Sequence, residues 1–313
     1  AEAGRACVIL PDAASSPRWE NFDRKYLQEG LEGAGFEVDI QNAQGDVSKY
    51  ATIADQQLTQ GCGVMLLVDY NGAAEGVAGK ASAQGIPVIA YDRPFKGASY
   101  YVSFDNVEVG RLEGQTVLDG LEKAGKDPKT AQVFYMGGDP TDGNAAMFRS
   151  GAVEVMEAAG IKPVAEPPGV WDGAKSQTNF EQALTANDTN ADGVIKVLQD
   201  NGLTGVAVSG QDANLEGLRN ILAGWQTATV YKPVKLEADK AVEVAIALLN
   251  GETVSADQKL EDGTPYIAVT PQLVGPEQVK DVVAAGDASA AEICTGEIDG
   301  VSLADKCAEF GVE

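Results

Sequence analysis

Polar and aromatic side chains recur directly after the apolar runs of this sequence, at places where they could bind a small ligand. One run ends in Tyr91-Asp92-Arg93, and another, Gly205–Ser209, leads into Gly210-Gln211-Asp212. A third run is followed by Asn144 and, about one helical turn later, by Phe148-Arg149. Open parallel sheets bind ligands outside the carboxyl ends of their strands, so these residues are candidates for one binding site.

The mixture of residue types indicates a ligand rich in hydroxyl groups. Each sugar hydroxyl both donates and accepts hydrogen bonds, whereas the C–H faces of the ring are apolar. Carboxylates, amides, arginine forks and flat aromatic rings satisfy these needs together. Trp19, Phe148 and Trp171 are candidate stacking residues. One tryptophan alone is more often ordinary packing, and Asp92-Arg93 alone is more often a surface ion pair, so the interpretation depends on the whole set.

Composition excludes several other functions. The 313 residues carry 47 acidic and 23 basic side chains, a formal charge of −24, which repels nucleic acid phosphates and anionic membranes. The sequence has no histidine, which removes the commonest general base, the commonest metal ligand and the histidine-containing catalytic triads. Neither glycine-rich segment, Gly72–Gly76 or Met136–Asp139, forms a nucleotide-binding motif. We therefore predict no cofactor and no metal.

The four cysteines predict two disulfides. Cys7 opens one strand-like run and Cys62 precedes another, so adjacent parallel strands could join them, while Cys294 and Cys307 would close a C-terminal loop. Buried free thiols are the alternative, because disulfides need an oxidising compartment. No signal peptide is visible at the first residues, so export implies one already removed.

The elements that position these residues follow an alternating strand and helix pattern, typical of parallel α/β sheets. A chain of this length also favours two domains. Predicted strands cover 6–10, 36–40, 63–68, 86–91, 131–136, 161–166, 205–209, 228–231 and 266–269. Predicted helices cover 19–33, 48–60, 74–84, 144–159, 176–186, 213–223 and 235–250. The pattern predicts two similar doubly wound parallel-sheet lobes.

Several longer stretches together resemble the xylose-binding proteins, periplasmic sugar-binding components of ABC transporters. The resemblance covers most of the chain, and each stretch alone is weak. The stretches are Ala90–Arg93, Tyr101–Asn106 with Val109-Gly110, Met136–Gly138, Phe148-Arg149, Val208–Ala213 and Gln226–Pro233.

The resemblance implies a type I periplasmic-binding-protein fold whose lobes are joined by three hinge strands and close on the ligand. The N-terminal lobe would comprise 1–104 and 234–268, and the C-terminal lobe 105–233 and 269–313. Hinge crossings would lie near 103–107, 231–235 and 268–271. The implied ligand-binding residues are Arg18, Trp19, Asp92, Arg93, Asn144, Phe148, Arg149, Trp171, Asn187, Asp212 and Lys232. Arginines and aspartates would bind ring and hydroxyl oxygens, and a tryptophan would stack on the sugar.

The implied function is capture of a monosaccharide, D-xylose or a similar aldose, for import through a membrane ABC permease. We expect a monomer that is not an enzyme, located in the periplasm or at the cell surface with or without a lipid anchor. A sensory or chemotaxis receptor would use the same binding site. A glycosidase would place two carboxylates roughly 5 to 10 Å apart, as Asp92 and Asp212 could. Their basic neighbours favour the ionised form, whereas a general acid must hold a proton.

One segment departs from the family pattern. The family has a turn and a buried strand before its Asn-Asp dipeptide, but here Asn187-Asp188 directly follows the predicted helix. Either this lobe is shortened by a strand of roughly five or six residues, or the sequence lacks those residues. The segment Asp188–Gly193 also matches the first half of an EF-hand loop. Position twelve is Gln199 instead of glutamate, so this rival interpretation predicts weak calcium binding at best.

Overall fold

The structure is a computed structural model that describes residues 4–13, 15–180 and 188–313. Its strands are β1 (Arg5–Leu10), β2 (Glu37–Asn42), β3 (Val64–Leu67), β4 (Val88–Tyr91), β5 (Tyr100–Phe104), β6 (Ser209–Gln211), β7 (Ala228–Tyr231), β8 (Gln258–Lys259), β9 (Pro265–Val269), β10 (Gln272–Val274), β11 (Glu297–Ile298) and β12 (Val301–Ser302). Its α-helices are α1 (Arg24–Gly33), α2 (Val47–Thr59), α3 (Ala73–Ser82), α4 (Asn106–Lys123), α5 (Gly143–Ala158), α6 (Gly173–Phe180), α7 (Asp188–Asp200), α8 (Leu215–Ala223), α9 (Val234–Leu249), α10 (Val279–Ala284), α11 (Ala290–Ile293) and α12 (Leu303–Phe310).

The chain divides into two compact units. Unit 1 contains Ala1–Asp105, Thr141–Asn144 and Pro233–Val269. Unit 2 contains Asn106–Pro140, Ala145–Lys232 and Thr270–Glu313. Each unit is therefore built from segments that are distant in the sequence. Among the described residues, no helix has both the length and the apolar character that a membrane span requires.

Unit 1 is built on a seven-stranded sheet in the order β2-β1-β3-β4-β5-β9-β8. All neighbours in it pair in parallel except β8, which is antiparallel to β9. Strands β3 and β4 are buried along their whole length, as expected when a parallel sheet is covered on both faces. Helices α1 and α9 pack together against this sheet and share its apolar core. A single π-helical turn, Trp19–Asp23, leads into α1.

The main sheet of unit 2 contains fewer strands, among the described residues, than the sequence predicts. It has three strands in the order β10-β7-β6, of which β6 and β7 pair in parallel and β10 is antiparallel. The predicted strand 205–209 is shifted, because β6 begins only at Ser209. In the part of the chain that the structure describes, β6 pairs with a strand on one side only.

The predicted strands 131–136 and 161–166 are wrong as continuous strands. These segments run in parallel, but they form only the isolated bridges Phe134–Ala165 and Gly137–Pro168. The second segment includes or precedes three prolines, Pro163, Pro167 and Pro168. Proline has no backbone N–H to donate, so this segment can contribute fewer hydrogen bonds to a ladder.

Helices α4 and α5 of unit 2 pack closely through glycines. A Cβ atom added to Gly110 would collide with the backbone carbonyl of Phe148, and one added to Gly151 would collide with that of Val107. Only glycine permits this approach of two backbones. The crossing fixes the backbone of Phe148, one of the predicted binding residues.

Both predicted disulfides are confirmed. Cys7 of β1 bonds Cys62, which lies just before the neighbouring strand β3, and Cys294 bonds Cys307 of α12. The first closes a loop with a sequence separation of 55 residues in unit 1, and the second a loop of 13 in unit 2.

Removing the longer-range disulfide should destabilise the protein more. From loop length alone, Cys7→Ala/Cys62→Ala should lower the free energy of unfolding by about 4 kcal/mol, and Cys294→Ala/Cys307→Ala by about 3 kcal/mol. Urea unfolding of both double variants, followed by circular dichroism, measures the two effects. Equal stability of the first variant and the unmodified protein would contradict this estimate.

Candidate functional site

Two of the predicted ligand-binding aspartates occupy unusual backbone conformations at strand ends. Asp92 directly follows β4 with a φ of 62°, and Asp212 directly follows β6 with a φ of 95°. Trp171 also has a positive φ, of 55°. Residues other than glycine rarely adopt these conformations, and those that do are concentrated at functional sites. A positive φ therefore distinguishes three of the predicted ligand-binding residues.

The side chain of Asp92 is held by Arg18. Arg18 Nη1 donates to Asp92 Oδ2 at 2.8 Å. The same guanidinium binds Asp23 through two parallel hydrogen bonds of 2.9 and 2.7 Å. A bidentate arginine–carboxylate pair has a well-defined geometry, so the pair with Asp23 makes Arg18 a rigid anchor for Asp92.

The backbone carbonyl of Asp92 is also fixed. It accepts hydrogen bonds from Tyr101 Oη at 3.0 Å, Ser103 Oγ at 3.0 Å and Asn144 Nδ2 at 2.8 Å. Tyr101 Oη also lies 2.7 Å from Asn144 Oδ1, so its single proton is shared between this oxygen and the Asp92 carbonyl. These donors stabilise the left-handed turn at Asp92. Asn144, predicted as a ligand-binding residue, therefore has a visible role in positioning Asp92.

Trp19 and Arg93 complete this first cluster, which we define as Arg18, Trp19, Asp92, Arg93 and Asn144. The carbon Cζ of Arg18 lies 4.6 Å from the centre of the Trp19 ring, and that of Arg93 lies 5.6 Å from it. Trp19 is only 2% exposed. The structure therefore differs from the expectation of an open stacking surface, because this ring packs against two guanidinium groups. Arg93 also pairs with Asp142 at 3.3 Å.

Four predicted residues of unit 2 form a second cluster, which we define as Phe148, Trp171, Asp212 and Lys232. Lys232 Nζ lies 2.8 Å from Asp212 Oδ1 and 5.3 Å from the centre of the Phe148 ring. The Phe148 and Trp171 rings meet edge to face, with centres 6.2 Å apart. The buried Trp171 Nε1 has no hydrogen-bond partner among the described residues. This cluster thus offers a carboxylate, an ammonium group, two rings and an indole N–H.

Two predicted residues are not brought into these clusters. Arg149 is half exposed, and its Nε lies 2.5 Å from Glu166 Oε2, so it forms a surface ion pair. Asn187 lies outside the described residues.

The rival calcium interpretation is wrong, because residues 188–200 form one continuous helix and do not wrap around an ion. Asp188 is fully buried instead. It accepts hydrogen bonds from Gln226 Nε2 at 2.6 Å, Thr229 Oγ1 at 3.0 Å and the Asn214 backbone N–H at 3.1 Å. Among the described residues, no group of three or more cysteine and acidic side chains is arranged to hold a metal.

Three buried carboxyl groups near the clusters were missed by the sequence analysis: Asp23, Glu113 and Glu237. Burial raises the pKa of each, and for Glu113 and Glu237 it does so well above the usual range. Each lies within a helical segment, so none has the strand-end position that identified the other candidates. The sequence pattern that could have identified these carboxyl groups is an acidic residue on the apolar face of its helix.

Comparison with known proteins agrees with this architecture. The family described as "Periplasmic binding protein domain" matches residues 7–253. The D-xylose-binding periplasmic protein of Escherichia coli (strain K12) is 35% identical over 289 residues, covering 85% of each chain. The multiple sugar-binding periplasmic receptor ChvE of Rhizobium radiobacter is 29% identical over 325 residues, covering 91% of each.

Solved structures share the fold. A carbohydrate transporter solute binding protein from Chloroflexus aurantiacus, in complex with D-glucose, has a TM-score of 0.80 at 23% identity and covers 93% of this chain and 98% of its own.

The fold, the matching family and the relatives define a solute-binding protein of the type I periplasmic-binding-protein fold, not an enzyme. The chain belongs to the periplasmic binding protein family.

The buried Asp188 should make stability depend on pH. Burial raises its pKa from 3.8 to about 7, while the hydrogen bond from Gln226 opposes this shift. Between these two values the folded state holds a proton that the unfolded state has lost, so stability falls as pH rises. This group alone should lower the free energy of unfolding by about 2 kcal/mol between pH 5 and pH 7.

Urea unfolding at both pH values checks this effect in the unmodified protein and in Asp188→Asn, which cannot ionise. The variant should show a smaller decrease by that amount. Asp200→Asn removes an exposed carboxylate from the same helix and is the control. An identical pH dependence in Asp188→Asn and the unmodified protein would rule out this role of Asp188.

Proposed function

We propose that this protein is the extracytoplasmic, sugar-binding component of an ABC importer and that its ligand is an aldose, most closely D-xylose. The observation that carries this proposal is the composition of the two clusters. Each combines an aspartate, a basic side chain that pairs with it, and at least one aromatic ring. Relatives that are 35% identical are named D-xylose-binding periplasmic proteins in two organisms, which supports the choice of sugar.

The chemistry of the clusters suits a neutral polyol. Hydroxyl groups donate to the carboxylates of Asp92 and Asp212 and accept from Arg93 and Lys232. The Trp171 N–H has no acceptor among the described residues, and a sugar oxygen supplies one. An anionic ligand fits poorly, because each cation already faces a carboxylate.

A sensory receptor is a second candidate. One relative over 91% of the chain is named a multiple sugar-binding periplasmic receptor. Sugar recognition needs the same chemistry in either role, so the partner protein distinguishes the two roles. We propose transport as the main role, with a periplasmic location and a monomeric state.

Calorimetric titration with D-xylose, L-arabinose, D-ribose, D-glucose, D-galactose and xylitol tests the proposed ligand. We expect micromolar or tighter binding of D-xylose, and weaker binding of xylitol because it has no ring to stack. Absence of binding to every sugar in this set would contradict the proposed function.

Substitution of the cluster residues tests the proposed contacts. Arg93→Ala and Asp212→Ala should each weaken D-xylose binding by about 30- to 100-fold, since a hydrogen bond to a charged group is lost. Arg111→Ala is the matched control, because Arg111 pairs with Glu154 on an exposed surface. Affinity unchanged in both cluster variants, with melting temperatures close to that of the unmodified protein, would show that the contacts are misassigned.

A further inference from the structure

Glu237 is an acidic side chain placed against the first cluster. It lies in the first turn of α9 and is fully buried. Its Oε2 lies 2.5 Å from Arg18 Nη2. Its other oxygen, Oε1, has no hydrogen-bond partner among the described residues. A buried carboxyl with one unpartnered oxygen is costly, so its position calls for an explanation.

One guanidinium here faces three carboxyl groups. Arg18 uses four of its five N–H groups, two on Asp23, one on Asp92 and one on Glu237. Tyr91 Oη donates to Asp23 as well, at 2.5 Å. Among the described residues, the charged and titratable groups that face Glu237 are Arg18, Asp23, Tyr91 and Asp92.

Three anions cannot share one buried cation at low cost, so at least one carboxyl must be neutral. Asp23 accepts the most hydrogen bonds of the three carboxyl groups, and Asp92 is the most exposed. Glu237 is therefore the carboxyl group that is neutral. Its unpartnered Oε1 fits a neutral carboxyl better than an anion, because the penalty is larger for a charged group. Burial raises the pKa of Glu237 well above its usual range; the charge of Arg18 opposes this, and Asp92 and Asp23 add to it.

We propose that Glu237 is a positioning residue of the sugar-binding site, whose protonated carboxyl holds Arg18 where it can anchor Asp92. This inference rests on the proposed function for its effect on sugar affinity. When Glu237 loses its proton, its anion competes with Asp92 for Arg18 and repels the Asp92 carboxylate. Sugar affinity is therefore highest when Glu237 is neutral and falls as pH rises.

Calorimetric titration with D-xylose at pH 6.5 and pH 9.5 tests this role. The unmodified protein should lose about tenfold or more in affinity over this interval, equivalent to about one pKa unit of coupling. Glu237→Gln keeps an oxygen that can accept from Arg18 but cannot ionise, so its affinity should be nearly the same at both pH values. Glu237→Ala should bind weakly at both.

Glu243→Gln is the matched control, since it makes the same chemical change on the same helix at an exposed position. Its affinity should follow that of the unmodified protein at both pH values. A pH profile of Glu237→Gln that matches the unmodified protein, or no loss of affinity in the unmodified protein at pH 9.5, would overturn the proposal.

An infrared measurement on the sugar-free protein separates this proposal from the proposed function. The spectrum of the unmodified protein minus that of Glu237→Gln at pH 6.5 should contain the carbonyl band of one protonated carboxyl, which the same subtraction for Glu243→Gln lacks. Absence of this band overturns the proposal whether or not any sugar binds. Presence of the band without binding of any tested sugar would instead contradict the proposed function and the positioning role with it.

Discussion

A carboxylate that is partly or fully removed from water needs a fixed cation beside it, and both units meet this requirement. Asp92 is anchored by Arg18 in unit 1, and Asp212 by Lys232 in unit 2. Both aspartates directly follow parallel strands in left-handed backbone conformations. In unit 1, three further donors fix the carbonyl of Asp92, so strand, turn and ion pair form one rigid assembly. Rigidity of this kind lowers the entropy that a binding site loses when it orders a ligand.

The two units hold these aspartates beside sheets of different size. Unit 1 has seven strands and buries its site residues beside a continuous apolar core. Unit 2 has a three-stranded main sheet, and its segments around Phe134 and Ala165 meet only in isolated bridges. The close crossing of α4 and α5 at glycines helps to hold unit 2 together. The hydrogen bonds that converge on Asp188 do the same. The second cluster therefore depends more on helix packing than the first.

Local patterns in the sequence predicted β1, β3 and β4, which are apolar runs apart from Arg5 at the start of β1. The same patterns missed β5, although all five of its residues are buried. The pairing of β1 with β3 explains why Cys7 reaches Cys62. The strand-end rule found both aspartates and their neighbours. The apolar runs 131–136 and 161–166 wrongly predicted continuous strands. Prolines in and after the second run remove backbone donors, which apolar content alone does not reveal.

The partners of Arg18 could not be predicted in the same way. Asp23 is five positions away in the chain, but Asp92 and Glu237 are 74 and 219 positions away. Helical or strand periodicity carries no information about contacts at such separations. The resemblance to sugar-binding proteins implies that Arg18 and Asp92 bind the ligand, and the structure shows that they also bind each other. Roles in positioning, such as those of Asn144 and Glu237, emerge only from three-dimensional contacts.

The most direct test of this account is a crystal structure of the protein grown with D-xylose. The account predicts a bound sugar with hydroxyl oxygens within about 3.2 Å of one of the two cluster carboxylates, that of Asp92 or that of Asp212. It also predicts that the Arg18–Asp92 pair is retained in the complex. A sugar bound away from both of these carboxylates would contradict the central claim.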